Sequence, residues 1–139
     1  MNNFIDIEYI DSNQLKEIMA FSARLKAERK KISKGTKDFK KYLTNKVVAL
    51  LFKKPSTRTR FSFEVGIFQM GGQALTVSSS EMQISNFESM SDTARVLSQY
   101  LDMVVLRTDN HSDLIDLANY SSIPIINGLS DKSHPCQVL

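Results

Sequence analysis

The sequence lacks several features that mark particular classes of protein. Its 139 residues contain one cysteine, Cys136, which excludes an internal disulfide and suits a reducing compartment. No apolar run approaches the roughly 20 residues that a membrane-spanning helix needs. The first residues show no basic stretch followed by an apolar one, so no secretory signal is visible. These absences predict a cytoplasmic protein without a membrane partner.

Patterns typical of several catalytic sites are also missing. The glycines do not have the spacing of a Walker-type phosphate-binding loop. No grouping of His, Cys, Asp or Glu has metal-ligand spacing, so we predict no metal. No serine lies in the context of a nucleophile elbow, which argues against a Ser-His-Asp hydrolase.

The overall composition is that of an ordinary soluble globular protein. Hydrophobic residues make up 42% and charged residues 24% of a chain long enough for one domain with a core. The net charge is +3, and the basic excess lies between Lys26 and Lys54. This basic segment could bind nucleic acid. It lacks the interleaved aromatics of a stacking platform, however, and a solvated helix face explains it more simply.

Helices and strands are predicted to alternate along the chain. The predicted strands, 47–52, 73–77, 103–106 and 123–126, are continuous apolar runs, and the last ends at Asn127-Gly128. The predicted helices cover 12 to about 32, Ser56 or Thr57 to Gly71-Gly72, and segments starting near Ser89, Asn110 and His134. Continuous apolar strands are typical of a parallel sheet covered on both faces. We therefore predict an α/β fold with an open four-stranded parallel sheet and helices on both faces.

The segment 53–64, KKPSTRTRFSFE, joins the first strand to the second helix. A helix that starts at Ser56 or Thr57 directs its free N–H groups and the positive end of its dipole at the strand tip. The same turn carries three hydroxyl groups and two arginines. Together these are the donors that a phosphate group binds. The alternative is a simple turn and helix cap followed by solvated arginines.

The second helix itself is rich in large apolar residues. Six of them predict a mostly buried helix. They are Phe61, Phe63, Val65, Ile67, Phe68 and Met70.

Polar residues follow the other predicted strands as well. Ser78 to Ser80 and Gln83 follow the second strand, and Arg107 follows the third. The fourth is followed by Asn127, Ser130, Asp131, His134 and Gln137. Because ligands of open parallel sheets bind outside the carboxyl ends of the strands, we expect these groups to meet the phosphate-type turn at one edge.

Taken singly, these residues have simpler explanations. Arg107 could be a surface arginine beside Asp109, and His134 could be a helix-start residue without a ligand. Ser78 to Ser80 reads as a plain loop, and Cys136 as a packing residue because no thiol-activating partner is evident. Asp92 with Arg95 is interpreted as a surface pair, and Glu64 as structural.

Four motifs resemble the aspartate/ornithine carbamoyltransferase family. The segment 55–60, PSTRTR, is similar to its carbamoyl-phosphate signature. Three further segments look like its ornithine branch: 61–65, FSFEV; 88–98, ESMSDTARVLS; and 127–131, NGLSD, followed by HPCQ at 134–137. They occur in the family's order and cover about residues 47 to 139. Ser85-Asn86-Phe87 departs from the glycine and basic residue usual in that loop.

The resemblance implies roles for the matching residues. The implied carbamoyl-phosphate site comprises Ser56, Thr57, Arg58, Thr59, Gln83, Arg107, His134, Pro135, Cys136 and Gln137. Within it, Ser56 to Thr59 would hold the phosphate, and Gln83 would reach a phosphate, often that of a neighbouring subunit. The implied catalytic residues are Arg58, Arg107 and His134. Arg107 and His134, with Thr59, would polarise the carbamoyl carbonyl, and Gln137 would hold its amide. No cofactor is implied.

The resemblance also implies what the whole protein would do. Residues 1–139 would be the carbamoyl-phosphate domain of a homotrimeric enzyme that carbamoylates L-ornithine to L-citrulline, releasing phosphate, in arginine biosynthesis. The ornithine-binding domain is absent from this chain, so we expect the chain alone to be inactive. Two alternatives stay open: a carbamoyltransferase with another acceptor, such as aspartate or putrescine, and a non-catalytic phosphate-binding or oligomerisation module.

Overall fold

The computed structural model of the chain describes residues 3–78 and 89–139. Within these ranges the strands are β1 (Val47–Phe52), β2 (Gln73–Ser78), β3 (Met103–Arg107) and β4 (Ile125–Leu129). The helices are α1 (Ser12–Arg29), α2 (Thr57–Gln69), α3 (Met90–Tyr100), α4 (His111–Tyr120) and α5 (Pro135–Val138), and a 3₁₀ turn spans Ile7–Tyr9. The strands form one parallel sheet in the order β2-β1-β3-β4, which confirms the predicted fold class.

The register of the sheet brings three strand tips to the same level. Phe52 at the end of β1 lies opposite Arg107 at the end of β3. Arg107 in turn lies opposite Leu129 at the end of β4. The turns that leave these strands therefore start side by side at the carboxyl edge of the sheet.

Helices cover both faces of the sheet, and each face has its own core. On one face, Leu51 and Leu106 pack against Leu114 and Leu117 of α4 and Ala94 of α3. A second core on the other face comprises Val48, Leu50, Phe52, Val105 and, from α2, Ile67. The central strands β1 and β3 are buried from both sides, which is why they read as continuous apolar runs.

The prediction that α2 is mostly buried is wrong. Ile67 is its one buried residue, and Phe61, Val65 and Phe68 are 56%, 43% and 42% exposed. A helix that lies on one face of a sheet buries only the stripe that faces the strands. Here Ile67 and the partly buried Phe63 form that stripe.

The predicted bounds of the fourth strand are also wrong, because β4 starts at Ile125 and continues through Asn127 and Gly128 to Leu129. A Cβ atom at Gly128 would lie 3.0 Å from Val105 Cγ1 and 3.3 Å from the Leu106 carbonyl oxygen. Glycine therefore serves the close approach of β4 to β3 at this point, and it does not end the strand.

The N-terminal segment, defined here as residues 3–9, runs along the outer side of β4. Phe4 N–H donates to the Ile125 carbonyl, and Asn127 N–H donates to the Phe4 carbonyl, both at 2.8 Å. The sequence pattern gave no sign of this pairing. It gives β4 hydrogen-bond partners on its outer side.

The first helix begins as predicted but is shorter. Asp11 and Gln14 form a capping box at its start. It ends at Arg29, about three residues before the predicted end, where the Arg29 guanidinium turns back to the Thr36 carbonyl and to Asp38. None of its residues is buried. Across the described parts of the chain, no helix combines the length and apolar character needed to cross a bilayer.

We expect Leu114→Ala to lower the free energy of unfolding by about 2–5 kcal/mol, because it leaves a cavity in a fully buried contact between α4 and the sheet. Urea denaturation followed by circular dichroism measures this loss. Phe39→Ala is the control, since Phe39 is 98% exposed and its removal should change the stability little. Equal stabilities of the two variants would contradict the assigned core.

Candidate active site at the carboxyl edge of the sheet

A cavity of about 500 Å³ opens where β1, β3 and β4 end. Its lining comes from α2, from the tips of β3 and β4, and from α5. The lining residues are Ser56, Arg58, Thr59, Ser62, Phe63, Arg107, Leu129, His134, Cys136 and Gln137. Seven of the ten residues predicted for the site therefore meet around one cavity, although the sequence separates the first from the last by about 80 positions.

The other three predicted residues lie elsewhere. Thr57 lines a smaller neighbouring cavity of about 270 Å³ together with Lys54 and Arg60. Pro135 is buried at the first position of α5. Gln83 lies outside the described residues.

Of the other predictions for the segment after β2, one is wrong and the rest fall on residues that the structure does not describe. Ser78 was predicted to be loop, and this is wrong because it is the last residue of β2. Ser79, Ser80 and the loop 85–87 lie outside the described residues.

The start of α2 offers uncapped backbone donors. Ser56 occupies the N-cap position with extended backbone, but its side chain makes no capping hydrogen bond. By contrast, the caps of α1, α3 and α4 all accept from backbone N–H groups. Among the residues that the structure describes, no side chain accepts from the first-turn N–H groups of α2, and the positive end of the helix dipole stands beside Arg58.

Arg107 is not the surface partner of Asp109. Asp109 forms an ion pair with Lys54, and Asp113 forms one with Lys53 at 2.6 Å. In the part of the chain that the structure describes, no carboxylate pairs with Arg107, whose buried Nε atom has no hydrogen-bond partner. The guanidinium is therefore available to a ligand in the cavity.

His134 resembles Arg107 in having a buried nitrogen atom, Nδ1, that makes no hydrogen bond to the described residues. Burial lowers the pKa of the imidazole below its ordinary value of 6.5, and the positive charge of Arg107 lowers that pKa further. The side chain is therefore neutral at pH 7, where it can donate one hydrogen bond without adding a charge.

Cys136 is a wall residue of the cavity and not a nucleophile. Its Sγ atom donates to the Asn127 carbonyl at 3.4 Å. Burial raises the pKa of the thiol to about 11. The reactive thiolate is thus nearly absent at neutral pH, in agreement with the packing interpretation.

The second arginine of the phosphate-type turn points away from the cavity. Arg60 Nε donates to Glu64 at 2.9 Å, and Thr76 Oγ1 donates to the same carboxylate. Both bonds hold the pKa of Glu64 below its ordinary value, and the bond from Thr76 has the larger effect. Glu64 is therefore structural, as predicted, and ties α2 to the edge strand β2. Asp92 and Arg95 form the predicted exposed pair at 2.9 Å.

Sequence reasoning missed three residues of the lining: Ser62, Phe63 and Leu129. Ser62 lies three residues after Thr59 on the same helical face, and its Oγ donates to the Thr59 carbonyl at 2.8 Å. That spacing could have revealed Ser62. Nothing in the local sequence marks Leu129, which lines the cavity because β4 extends to this residue. Within residues 3–78 and 89–139, no cluster of three His, Cys, Asp or Glu side chains could hold a metal ion.

Comparison with known proteins identifies the relatives of this chain. The family profile described as aspartate/ornithine carbamoyltransferase, carbamoyl-P binding domain, matches residues 2–139. The ornithine carbamoyltransferase of Paracoccus denitrificans is 47% identical over 139 residues, which are 100% of this chain and 45% of that protein.

Solved structures give the same picture. Anabolic ornithine carbamoyltransferase from Campylobacter jejuni is 37% identical with a TM-score of 0.88, over 99% of this chain and 42% of that one. The ornithine carbamoyltransferase from Pyrococcus furiosus is 40% identical, also with a TM-score of 0.88, over 98% and 42%. This chain thus spans less than half the length of the relatives it matches.

We expect the single thiol to react slowly with iodoacetamide at pH 8. A pKa of about 11 in place of 9.0 lowers the thiolate fraction about a hundredfold. Alkylation followed by mass spectrometry gives the rate of thiol modification in buffer and in about 8 M urea, which is enough to unfold a domain of this size. The ratio of these two rates measures how far the fold protects the thiol. Rapid modification of the folded chain would contradict the buried placement of Cys136.

Proposed function

This chain belongs to the aspartate/ornithine carbamoyltransferase family as its carbamoyl-phosphate-binding domain, and on that premise we propose that the cavity at the strand tips binds carbamoyl phosphate. One observation carries the proposal. Arg107 Nε and His134 Nδ1 are both buried beside the same cavity, and neither has a hydrogen-bond partner within residues 3–78 and 89–139. An unsatisfied buried polar group costs about 1–3 kcal/mol, and ligand oxygens would satisfy such groups.

The phosphate part of the ligand would bind at the start of α2. Uncapped N–H groups, the hydroxyls of Ser56 and Thr59 and the guanidinium of Arg58 offer donors of the kind that a phosphate dianion needs. Arg58 would also balance the charge that develops on phosphate as it leaves. Gln83, outside the described residues, would add a contact to phosphate, in this family often across a subunit interface.

The carbamoyl part would bind on the other side of the cavity. Arg107, His134 and Thr59 would donate to its carbonyl oxygen, and the Gln137 side chain would accept from its amide. Pro135 starts the short helix that presents Gln137, and Cys136 closes the wall between them. The ligand would thus be held at both ends, with its carbon atom between them.

We propose that the whole protein transfers this carbamoyl group to L-ornithine. The side-chain amine attacks the carbamoyl carbon and forms the new C–N bond. The C–O bond to phosphate breaks, phosphate leaves with the electron pair, and the amine loses a proton to give L-citrulline. Negative charge builds on the carbonyl oxygen during attack, and each fixed donor at such an oxygen is worth about 2.7–4 kcal/mol in comparable sites. Neutral His134 beside cationic Arg107 would supply two such donors.

The choice of ornithine depends on the motifs at 61–65, 88–98 and 127–137 and on the names of the relatives. The acceptor would bind mainly to the part of the protein that the relatives have beyond this chain. Aspartate or putrescine as acceptor, or a module without activity, stay as alternatives. Apolar side chains exposed on α2, Phe61 and Phe68 among them, support the proposal that copies of the protein associate, by resemblance as a trimer.

We expect carbamoyl phosphate, or a stable phosphonate analogue, to bind this chain saturably, and Arg58→Ala to weaken that binding at least tenfold. The reason is the loss of a charge-assisted contact to phosphate. Isothermal titration calorimetry measures both affinities. Arg95→Ala is the matched control, because Arg95 is exposed on α3, where it contacts Asp92 and the Tyr120 ring, and it does not line the cavity. Equal affinities of the two variants would refute this placement of the phosphate.

These 139 residues alone should not form citrulline at a steady rate, because they span less than half the length of the relatives and the acceptor would bind mainly to the rest. A colorimetric citrulline assay with L-ornithine and carbamoyl phosphate tests this. The positive control is one of the full-length relatives, such as the Paracoccus denitrificans protein. Sustained turnover by the purified 139 residues would overturn the expectation.

A further inference from the structure

Asn127 is a fully buried polar residue in the middle of β4, next to the cavity but outside its lining. Its Nδ2 group donates to the Ile5 carbonyl at 2.9 Å. The same group lies 3.3 Å from both the carbonyl oxygen and the Oγ of Ser133. Its Oδ1 atom accepts from Leu129 N–H at 2.9 Å. One side chain thus contacts the N-terminal segment, the end of β4 and the turn that follows it.

The turn that Asn127 holds, residues 130–133, immediately precedes His134. It closes through a hydrogen bond from Ser130 N–H to the Ser133 carbonyl at 2.9 Å. It starts from Leu129, whose φ of 149° is strained for a residue with a side chain. The bond from Leu129 N–H to Asn127 Oδ1 stabilises this conformation. Asn127 therefore fixes both ends of the path from the sheet to His134.

The N-terminal segment holds the same turn from outside. The nearby Ser133 side chain lowers the pKa of the Asp6 carboxyl group, and Lys132 Nζ donates to Glu8 at 2.5 Å. The Glu8–Lys132 pair is half exposed, so it adds little stability. A loosely held surface turn would lack the contacts to a buried side chain that Asn127 supplies here.

We propose that Asn127 is a positioning residue: by joining the N-terminal segment to the turn 130–133, it sets the place of His134 beside Arg107. The expected effect of Asn127 on catalysis rests on the proposed function. Its effect on the position of His134 does not, because that position can be measured in the chain without a ligand.

A general role in stability is the competing explanation, and three variants separate the two. Asn127→Ala removes all of the side-chain contacts, and Ser133→Ala removes the hydroxyl that meets Asn127 and Asp6 with little risk to folding. Both substitutions replace one uncharged side chain by another, so neither alters the charge near His134. Val48→Ala is the control, since Val48 is 1% exposed near the start of β1, two strands away from β4, and its truncation destabilises the fold without touching the turn.

The first readout is the pKa of His134 in the ligand-free chain, followed by NMR titration of the imidazole. We expect a rise toward the ordinary value in Asn127→Ala, a smaller rise in Ser133→Ala and none in Val48→Ala, because a loosened turn lets the ring leave its buried place near Arg107. An unchanged pKa in a folded Asn127→Ala would overturn the proposal. If that variant does not fold, Ser133→Ala decides by the same criterion.

The second readout is the affinity for the phosphonate analogue of carbamoyl phosphate. Asn127→Ala should bind it about tenfold more weakly, since small misplacements of a binding group are costly, whereas Val48→Ala should bind like the unmodified chain. Unchanged affinity in Asn127→Ala would overturn the catalytic consequence. Failure of the unmodified chain to bind would count against the proposed function, and the His134 titration would still decide the present inference.

Discussion

The parallel register of β1, β3 and β4 is the constraint on which the rest of the structure depends. It sets Phe52 opposite Arg107 and Arg107 opposite Leu129, so three turns leave the sheet side by side. Each turn is unremarkable alone. Their common origin brings Arg58, Arg107 and His134 around one cavity, and a slip of one strand by one residue would turn its side chains to the opposite face.

The charges around this edge are arranged so that the cavity stays positive. Asp113 and Asp109 are paired with Lys53 and Lys54, which follow β1 directly. Glu64 is paired with Arg60, outside the cavity. The nearby carboxylates are thus neutralised by other cations, and Arg58 and Arg107 have no ion-pair partner among the described residues. With the start of α2 pointing at the same space, the field favours an anion, and burial keeps His134 uncharged beside it.

Residues at the two ends of the chain cooperate at the site. The N-terminal segment pairs with β4 and contacts the turn before His134, more than 120 positions later in the sequence. The Asn127 side chain that links the two is fully buried, as is its bond to the Ile5 carbonyl, and an unmade hydrogen bond is most costly in such a place. The proposed positioning of His134 thus draws on a segment whose sequence, read alone, carries no sign of a role.

The sequence by itself determined the order of the strands and helices, most helix starts, the fold class and seven of the lining residues, because apolar runs, capping residues and strand-end motifs act locally. Asp11 with Gln14 and Ser89 with Asp92 are examples in which a few neighbouring side chains decide where a helix begins. Only the tertiary structure decided which side of α2 is buried, that β4 runs through Gly128, and that Leu129 enters the cavity. It also decided that Arg60 turns to Glu64 while Arg58 lines the cavity. These features depend on contacts between residues that are close in space and distant in sequence, which no local pattern encodes.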